Sequence, residues 1–178
     1  MKVFVCRICG EVYVGREVPH TCPFCGVANK NLRLSNTWSD ENKGVELTEL
    51  SKKNLETSLQ IELSNAAFYK SAYELLKDGH LSFALMFKGL FKVEREHASV
   101  FKKLLNQESV ADLVEEAFAD PLRCIEESSA REKRAVELYE KFRDEAVEKR
   151  VKEVFDEISR VEKDHLELDG LMKTIINK

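Results

Sequence analysis

The sequence is short of the residues that interrupt helices, with three prolines and seven glycines in 178 residues. Four of those glycines and two of those prolines fall before residue 45, which divides the chain into a turn-rich head and a helix-rich body. No apolar run approaches the ~20 residues of a membrane span, so no membrane partner is expected. The opening Met-Lys-Val-Phe-Val-Cys-Arg lacks the apolar core and cleavage site of a secretion signal. Nor is there an excess of positive charge. The net charge is −4 with both signs interspersed, which leaves no basic surface for nucleic acid. A reducing cytoplasm is the expected location, and closely spaced cysteines there bind metal more often than they form disulfides.

What is present is concentrated in two places. In the head, Cys6-Arg7-Ile8-Cys9-Gly10 and Cys22-Pro23-Phe24-Cys25-Gly26 are two C-x-x-C-G units. Each spacing makes a tight turn that aims backbone amides at the sulfurs, with the trailing glycine accepting the unusual backbone geometry. Two such turns supply four thiolates to one tetrahedral ion, zinc or iron, with a pair of disulfides as the alternative. A module of about 35 residues buries too little core to stand alone, so the metal contributes to its folding. Phe4, Tyr13 and Val14 read as its packing residues, short strands flank the knuckles, and His20 reads as surface. The expected division is a four-cysteine metal module over residues 1–35, a linker over 36–46 and a helical bundle over 47–178.

The body has four helical segments, near 47–78, 80–106, 121–147 and 149–176, with Asp78-Gly79 as a stop and Asp120-Pro121 as a start. Their apolar seams step by four and three, as in a bundle. The first runs Leu55, Leu59, Glu62, Ala66, Tyr69, Tyr73, Leu76, and the second Phe83, Phe87, Leu90, Glu94, His97, Phe101, Leu104. The third is Leu122, Ile125, Ser129, Glu132, Val136, Tyr139, and the fourth Val151, Phe155, Ile158, Glu162, His165, Asp169, Met172, Ile176. Each seam carries ionisable groups near its middle. Four bare carboxylates in a bundle core cost several kcal/mol each unless something compensates them. Lysine and arginine are absent from the seams, so a pair of metal cations is the natural compensator. In Glu94-x-x-His97 and Glu162-x-x-His165 the i and i+3 positions share one helical face, and two such pairs with two single glutamates form a dinuclear carboxylate set.

An internal repeat sharpens this reading. Glu62 to Tyr69 matches Glu132 to Tyr139 in spacing, Glu94 follows Glu62 by 32 residues and Glu162 follows Glu132 by 30. The body is therefore two similar hairpins, each giving Glu and then Glu-x-x-His. Glu94 and Glu162 suit bridging roles, and Glu62 and Glu132 terminal ones. Tyr69 and Tyr139, two turns on, are placed to hydrogen-bond the terminal glutamate of the opposite hairpin or to fill space in the seam. Asp169 reads as a bundle-end residue and Cys124 as a small core residue.

On these residues the whole chain resembles the rubrerythrins, in their reversed-domain branch. The resemblance implies a mainly α fold, a ferritin-like four-helix bundle with a small N-terminal rubredoxin-like module. It implies two non-haem irons at Glu62, Glu94, His97, Glu132, Glu162 and His165, and one iron or zinc at Cys6, Cys9, Cys22 and Cys25. It further implies reduction of hydrogen peroxide or dioxygen, with electrons delivered through the iron of the four-cysteine site from a donor protein such as a rubredoxin or its reductase. Rubrerythrins proper carry another metal-binding glutamate three residues after the helix-C glutamate, and this chain has Ala135 there. An oxidase or ferroxidase without preference for peroxide, or a non-enzymatic metal-binding protein with a zinc knuckle, are the alternatives.

The connection over residues 107–120 must run back along the bundle, and Val110–Phe118 itself reads as helical. About nine helical and five extended residues reach only ~30 Å against a bundle of ~40 Å. That shortfall makes a homodimer with exchanged hairpins an expectation, in which the knuckle of one chain approaches the bundle of another.

Overall fold

The computed structural model describes residues 1–176. Strands β1 (Lys2–Cys6), β2 (Val12–Gly15) and β3 (Leu32–Leu34) form an antiparallel sheet in the order β2-β1-β3. Helices α1 (Glu49–Leu76), α2 (Leu81–Leu104), α3 (Pro121–Glu145) and α4 (Lys149–Ile176) form the bundle. The expected mainly α fold, with a strand-flanked cysteine module ahead of a four-helix bundle, is the one observed. Thr48 caps α1 by accepting from the Ser51 amide, and Asp120 caps α3 by accepting from the Leu122 amide, with Pro121 in the first turn. Among the described residues no helix is long and apolar enough to cross a membrane.

Helices α1 and α2 pack as one hairpin and α3 and α4 as the other, with α1 against α3 and α2 against α4. The apolar core lies in two parts. One joins the bundle to the module and includes Ile8, Val27, Leu55, Leu59, Phe101, Tyr139 and Phe155. The other, at the far end, is built on Phe68, Tyr69, Leu76, Phe87 and Ile125. Each large side chain so buried contributes about 1.5–3 kcal/mol. Along every helix the glutamates of the seam fall between these two apolar parts, so the fold seals them in from both ends.

Three expectations are corrected. Residues 109–118 form no regular secondary structure rather than a helix. The fourteen residues of the connection, 107–120, can span about 46–50 Å, enough to run the length of the bundle within one chain, where a helix falls short. On α3 the expected Ile125, Glu132 and Tyr139 are buried and are joined by Cys124, Ser128 and Ala135, while Ser129 and Val136 are only half-buried. Val14 lies on the exposed face of the sheet, whereas Phe4 is buried and stacks with Tyr13.

The segment between module and bundle is pinned. Asn42 donates to the Ile8 carbonyl at 2.7 Å and accepts from Arg150 Nε at 2.8 Å, and Arg150 also reaches the Arg7 carbonyl. Arg7 pairs in turn with Glu41 and Glu153. Asn31 and Lys30 both bond Glu157 of α4. The module is thereby fixed against its own bundle.

Candidate metal centre

In the module, both knuckle glycines take left-handed backbone, Gly10 at φ +84° and Gly26 at φ +78°. Their amides bond the carbonyls of Cys6 (2.9 Å) and Cys22 (3.0 Å), closing the two turns. The Glu11 amide points at Cys9 Sγ from 3.4 Å. Gly26 has a second reason to lack a side chain, since a Cβ there would lie 2.7 Å from Val161 of α4. All four cysteines are buried and free, with Cys6–Cys25 and Cys9–Cys22 sulfurs 3.8 Å apart. That separation excludes S–S bonds and matches the edge of about 3.8 Å that a tetrahedron with 2.3 Å metal–sulfur bonds requires.

In the bundle, the six seam residues converge. Ligand atoms of Glu62, Glu94, His97 and Glu162 lie within 4.8 Å of one another, and so do those of Glu94, Glu132, Glu162 and His165. The two groups share Glu94 and Glu162. His97 Nδ1 is 2.9 Å from Glu162 Oε1 and 3.6 Å from Glu94 Oε2, and His165 Nδ1 is 2.9 Å from Glu162 Oε2 and 3.2 Å from Glu94 Oε1. These atoms are close yet not aligned as hydrogen bonds. Eight of them have no hydrogen-bond partner: both oxygens of Glu94 and Glu162, one each of Glu62 and Glu132, and Nδ1 of both histidines. Buried polar atoms left in this way are rare in folded proteins, and two cations between them would satisfy all eight. The donor set fits a dinuclear site.

The electrostatics agree. Burial, with the neighbouring carboxylates of Glu94 and Glu162, holds the Glu62 and Glu132 carboxyls well above the ordinary range. Burial alone would depress both imidazoles, but surrounding carboxylates outweigh it and raise His97 and His165 well above the usual value. Glu94 and Glu162 are lowered against burial, Glu94 by the adjacent Glu62 carboxyl and the two histidines, Glu162 by the same two imidazoles. Without a cation, protons on the histidines and terminal glutamates balance the pocket, and metal ions replace those protons on binding.

The tyrosines cross between hairpins. Tyr139 on α3 donates to Glu62 Oε1 at 2.6 Å, and Tyr69 on α1 donates to Glu132 Oε1. Each thereby occupies one oxygen of a terminal glutamate and leaves the other facing the centre. Ser128, rather than the seam residue Ser129 expected from the spacing, lies 3.1 Å from the Tyr69 hydroxyl. Asp169 is fully buried near the bundle end, accepts from Ser129 at 3.2 Å, and is pushed up to about 6 by burial. Cys124 is buried and donates to the Phe118 carbonyl, as suits a core residue, and His20 is exposed.

The two centres touch through one contact. His97 Nε2 lies 3.0 Å from the backbone carbonyl of Cys25. Donation by Nε2–H to that carbonyl fixes the tautomer and leaves the Nδ1 lone pair toward the carboxylates. Lys103 of α2 donates to the Cys9 carbonyl at 2.6 Å, setting a cation against the cysteine cluster. Neither contact carries a sequence signature, because both partners on the module are backbone atoms.

Comparison with known proteins bears on this arrangement directly. The family profile described as Rubrerythrin matches residues 53–169, and that described as Rubrerythrin, rubredoxin-like domain matches residues 4–32. Reverse rubrerythrin-1 of Clostridium acetobutylicum is 32% identical over 122 residues, covering 63% of this chain and 66%, just under two thirds, of that protein. No solved structure matches the chain significantly. The bundle site is thus of the diiron type and the cysteine site of the rubredoxin type, and the chain belongs to the rubrerythrin family, with the rubredoxin-like module preceding the ferritin-like bundle.

Proposed function

We propose that this oxidoreductase reduces hydrogen peroxide or dioxygen at two irons in the bundle, with electrons delivered through an iron held by Cys6, Cys9, Cys22 and Cys25. His97 with Glu62 would hold one bundle ion and His165 with Glu132 the other, with Glu94 and Glu162 within reach of both. In its ferrous form such a pair supplies two electrons to a bound oxidant. The chain's own groups prepare the rest. Tyr139 and Tyr69 orient the terminal glutamates, the two apolar core parts exclude water, and the Cys25 carbonyl fixes His97.

The observation that carries this reading is the 3.0 Å contact between His97 Nε2 and the Cys25 carbonyl. It makes a short covalent and hydrogen-bonded path from a cysteine of one centre to a histidine of the other, within a single chain. A purely structural zinc clip has no need of such a path. The one-electron donor fitting this inlet is a small redox protein such as a rubredoxin or its reductase, in a cytoplasmic setting.

Ala135 supports a second reading, an oxidase or ferroxidase without preference for peroxide. It is fully buried where rubrerythrins proper place another glutamate. Stopped-flow mixing of the fully reduced, iron-loaded protein with hydrogen peroxide and with dioxygen decides. Faster return of the ferric–thiolate absorption with peroxide selects the peroxidase, and equal or faster return with dioxygen selects the oxidase. No oxidation by either, or zinc alone at the cysteines, rejects both.

A further inference from the structure

Of the six bundle residues, five are fully buried and His165 alone keeps 7% of its surface exposed. His165 lines an open cleft of about 680 Å³ between α2, α4 and the second knuckle. Its walls are apolar: Phe24 from the knuckle, Leu85, Leu90 and Val93 from α2, and Leu168 from α4. The charged side chains lining it are Lys92, Glu96 and His165 itself. Hydrogen peroxide, little larger than a water with its ~30 Å³ share of liquid, needs only a small fraction of that space. The cleft volume falls instead within the 300–1,000 Å³ range of sites for organic ligands.

Part of the room comes from Gly89. It sits within α2, where glycine costs about 1 kcal/mol relative to alanine. Its backbone is not left-handed, and a Cβ built there meets nothing within 4 Å. Neither strain nor close packing requires this glycine, and a side chain in its place would project into the cleft.

We propose that this cleft admits small organic hydroperoxides, holding the hydrocarbon tail against Phe24, Leu85 and Leu168 with the hydroperoxide group directed toward His165. Such molecules are uncharged at neutral pH, as passage between apolar walls toward a carboxylate-rich centre demands. In the step, the O–O bond breaks, two electrons come from the reduced iron pair and two protons from water. One oxygen leaves as an alcohol and the other as water, and the one-electron donor protein replaces the two electrons. This deepens the function proposed above and rests on it.

The test compares cumene hydroperoxide with hydrogen peroxide in oxidation of the reduced, iron-loaded protein, for the wild type, Gly89→Trp and Gly170→Trp. Gly170 is an equally unencumbered glycine of α4 that does not line the cleft. Gly89→Trp is expected to shift the ratio of rate constants at least tenfold against cumene hydroperoxide, and Gly170→Trp to leave it unchanged. Calorimetric titration with cumyl alcohol should show binding to the wild type, weakened at least tenfold by Gly89→Trp. Reduction of hydrogen peroxide without cumene hydroperoxide, or an unshifted ratio in Gly89→Trp, overturns the cleft assignment and leaves the proposed function standing. Failure with both peroxides overturns the peroxide reading and the cleft assignment together.

Discussion

Replacing Glu94 and Glu162 by methionine and His97 and His165 by leucine should stabilise the protein when the bundle is metal-free. The four side chains carry six of the eight buried atoms that lack hydrogen-bond partners. At the low end of about 1–3 kcal/mol per unsatisfied buried group, their removal releases ~6 kcal/mol. Imperfect repacking returns about 1–3 kcal/mol. A net gain of about 3–5 kcal/mol remains, overlapping the range of about 1–4 kcal/mol for other buried ionic sets replaced by apolar residues. For a chain of this size that raises the melting temperature by roughly 6–20 °C. The assay is thermal unfolding by circular dichroism of chelator-treated wild type and variant, the cysteine-bound metal being left in place and checked by metal analysis. The variant should melt higher than the metal-free wild type and bind no metal in its bundle. A variant that melts lower would show that these residues support the fold without any cation, and would refute the reasoning.

Other perturbations have definite signs. Glu148 resists burial to reach about 2, held there by the Ser51 hydroxyl and the Thr48 amide. Its folded value is depressed, so its contribution is present above the unfolded value of ~4.3 and is lost as pH falls toward 2. Glu148→Gln should cost about 1–2 kcal/mol at neutral pH after allowance for exposure, with the gap closing below about pH 4 in urea melts. Tyr139→Phe removes the 2.6 Å bond to Glu62 and should weaken bundle metal binding about 10–100-fold in chelator competition. An unchanged affinity would reduce that tyrosine to seam packing. Lys103→Met withdraws a cation bonded to the Cys9 carbonyl and should lower the potential of the cysteine iron by about 20–40 mV. A raised potential in spectroelectrochemistry would contradict that role.

The seams of α1, α2 and α4 were legible because large apolar residues recur at steps of four and three and the ionisable groups stand out among them. On α3 the same counting found Ile125, Glu132 and Tyr139 but not the rest of the buried face. The further buried positions Cys124, Ser128 and Ala135 are small and weakly apolar, while Val136, the branched residue nearby, is only half-buried. The connection over 107–120 carries enough apolar residues to read as helical. Its conformation follows from the distance it spans, a tertiary constraint that no local pattern encodes. Both knuckles could be read down to their glycines, since C-x-x-C-G fixes a local turn. Their seating on the bundle could not. It depends on the Cys25 and Cys9 carbonyls and on the bonds from Arg150 to Asn42 and to the Arg7 carbonyl, where partners lie 72 to 143 residues apart.

Anomalous diffraction at the iron edge from crystals of the iron-loaded protein tests the central claim most directly. Two iron peaks should lie between Glu94 and Glu162, one beside His97 and Glu62 and the other beside His165 and Glu132, with a third peak, if iron fills the cysteines, among the four sulfurs. A single bundle peak, or peaks that do not share Glu94 and Glu162, would contradict it.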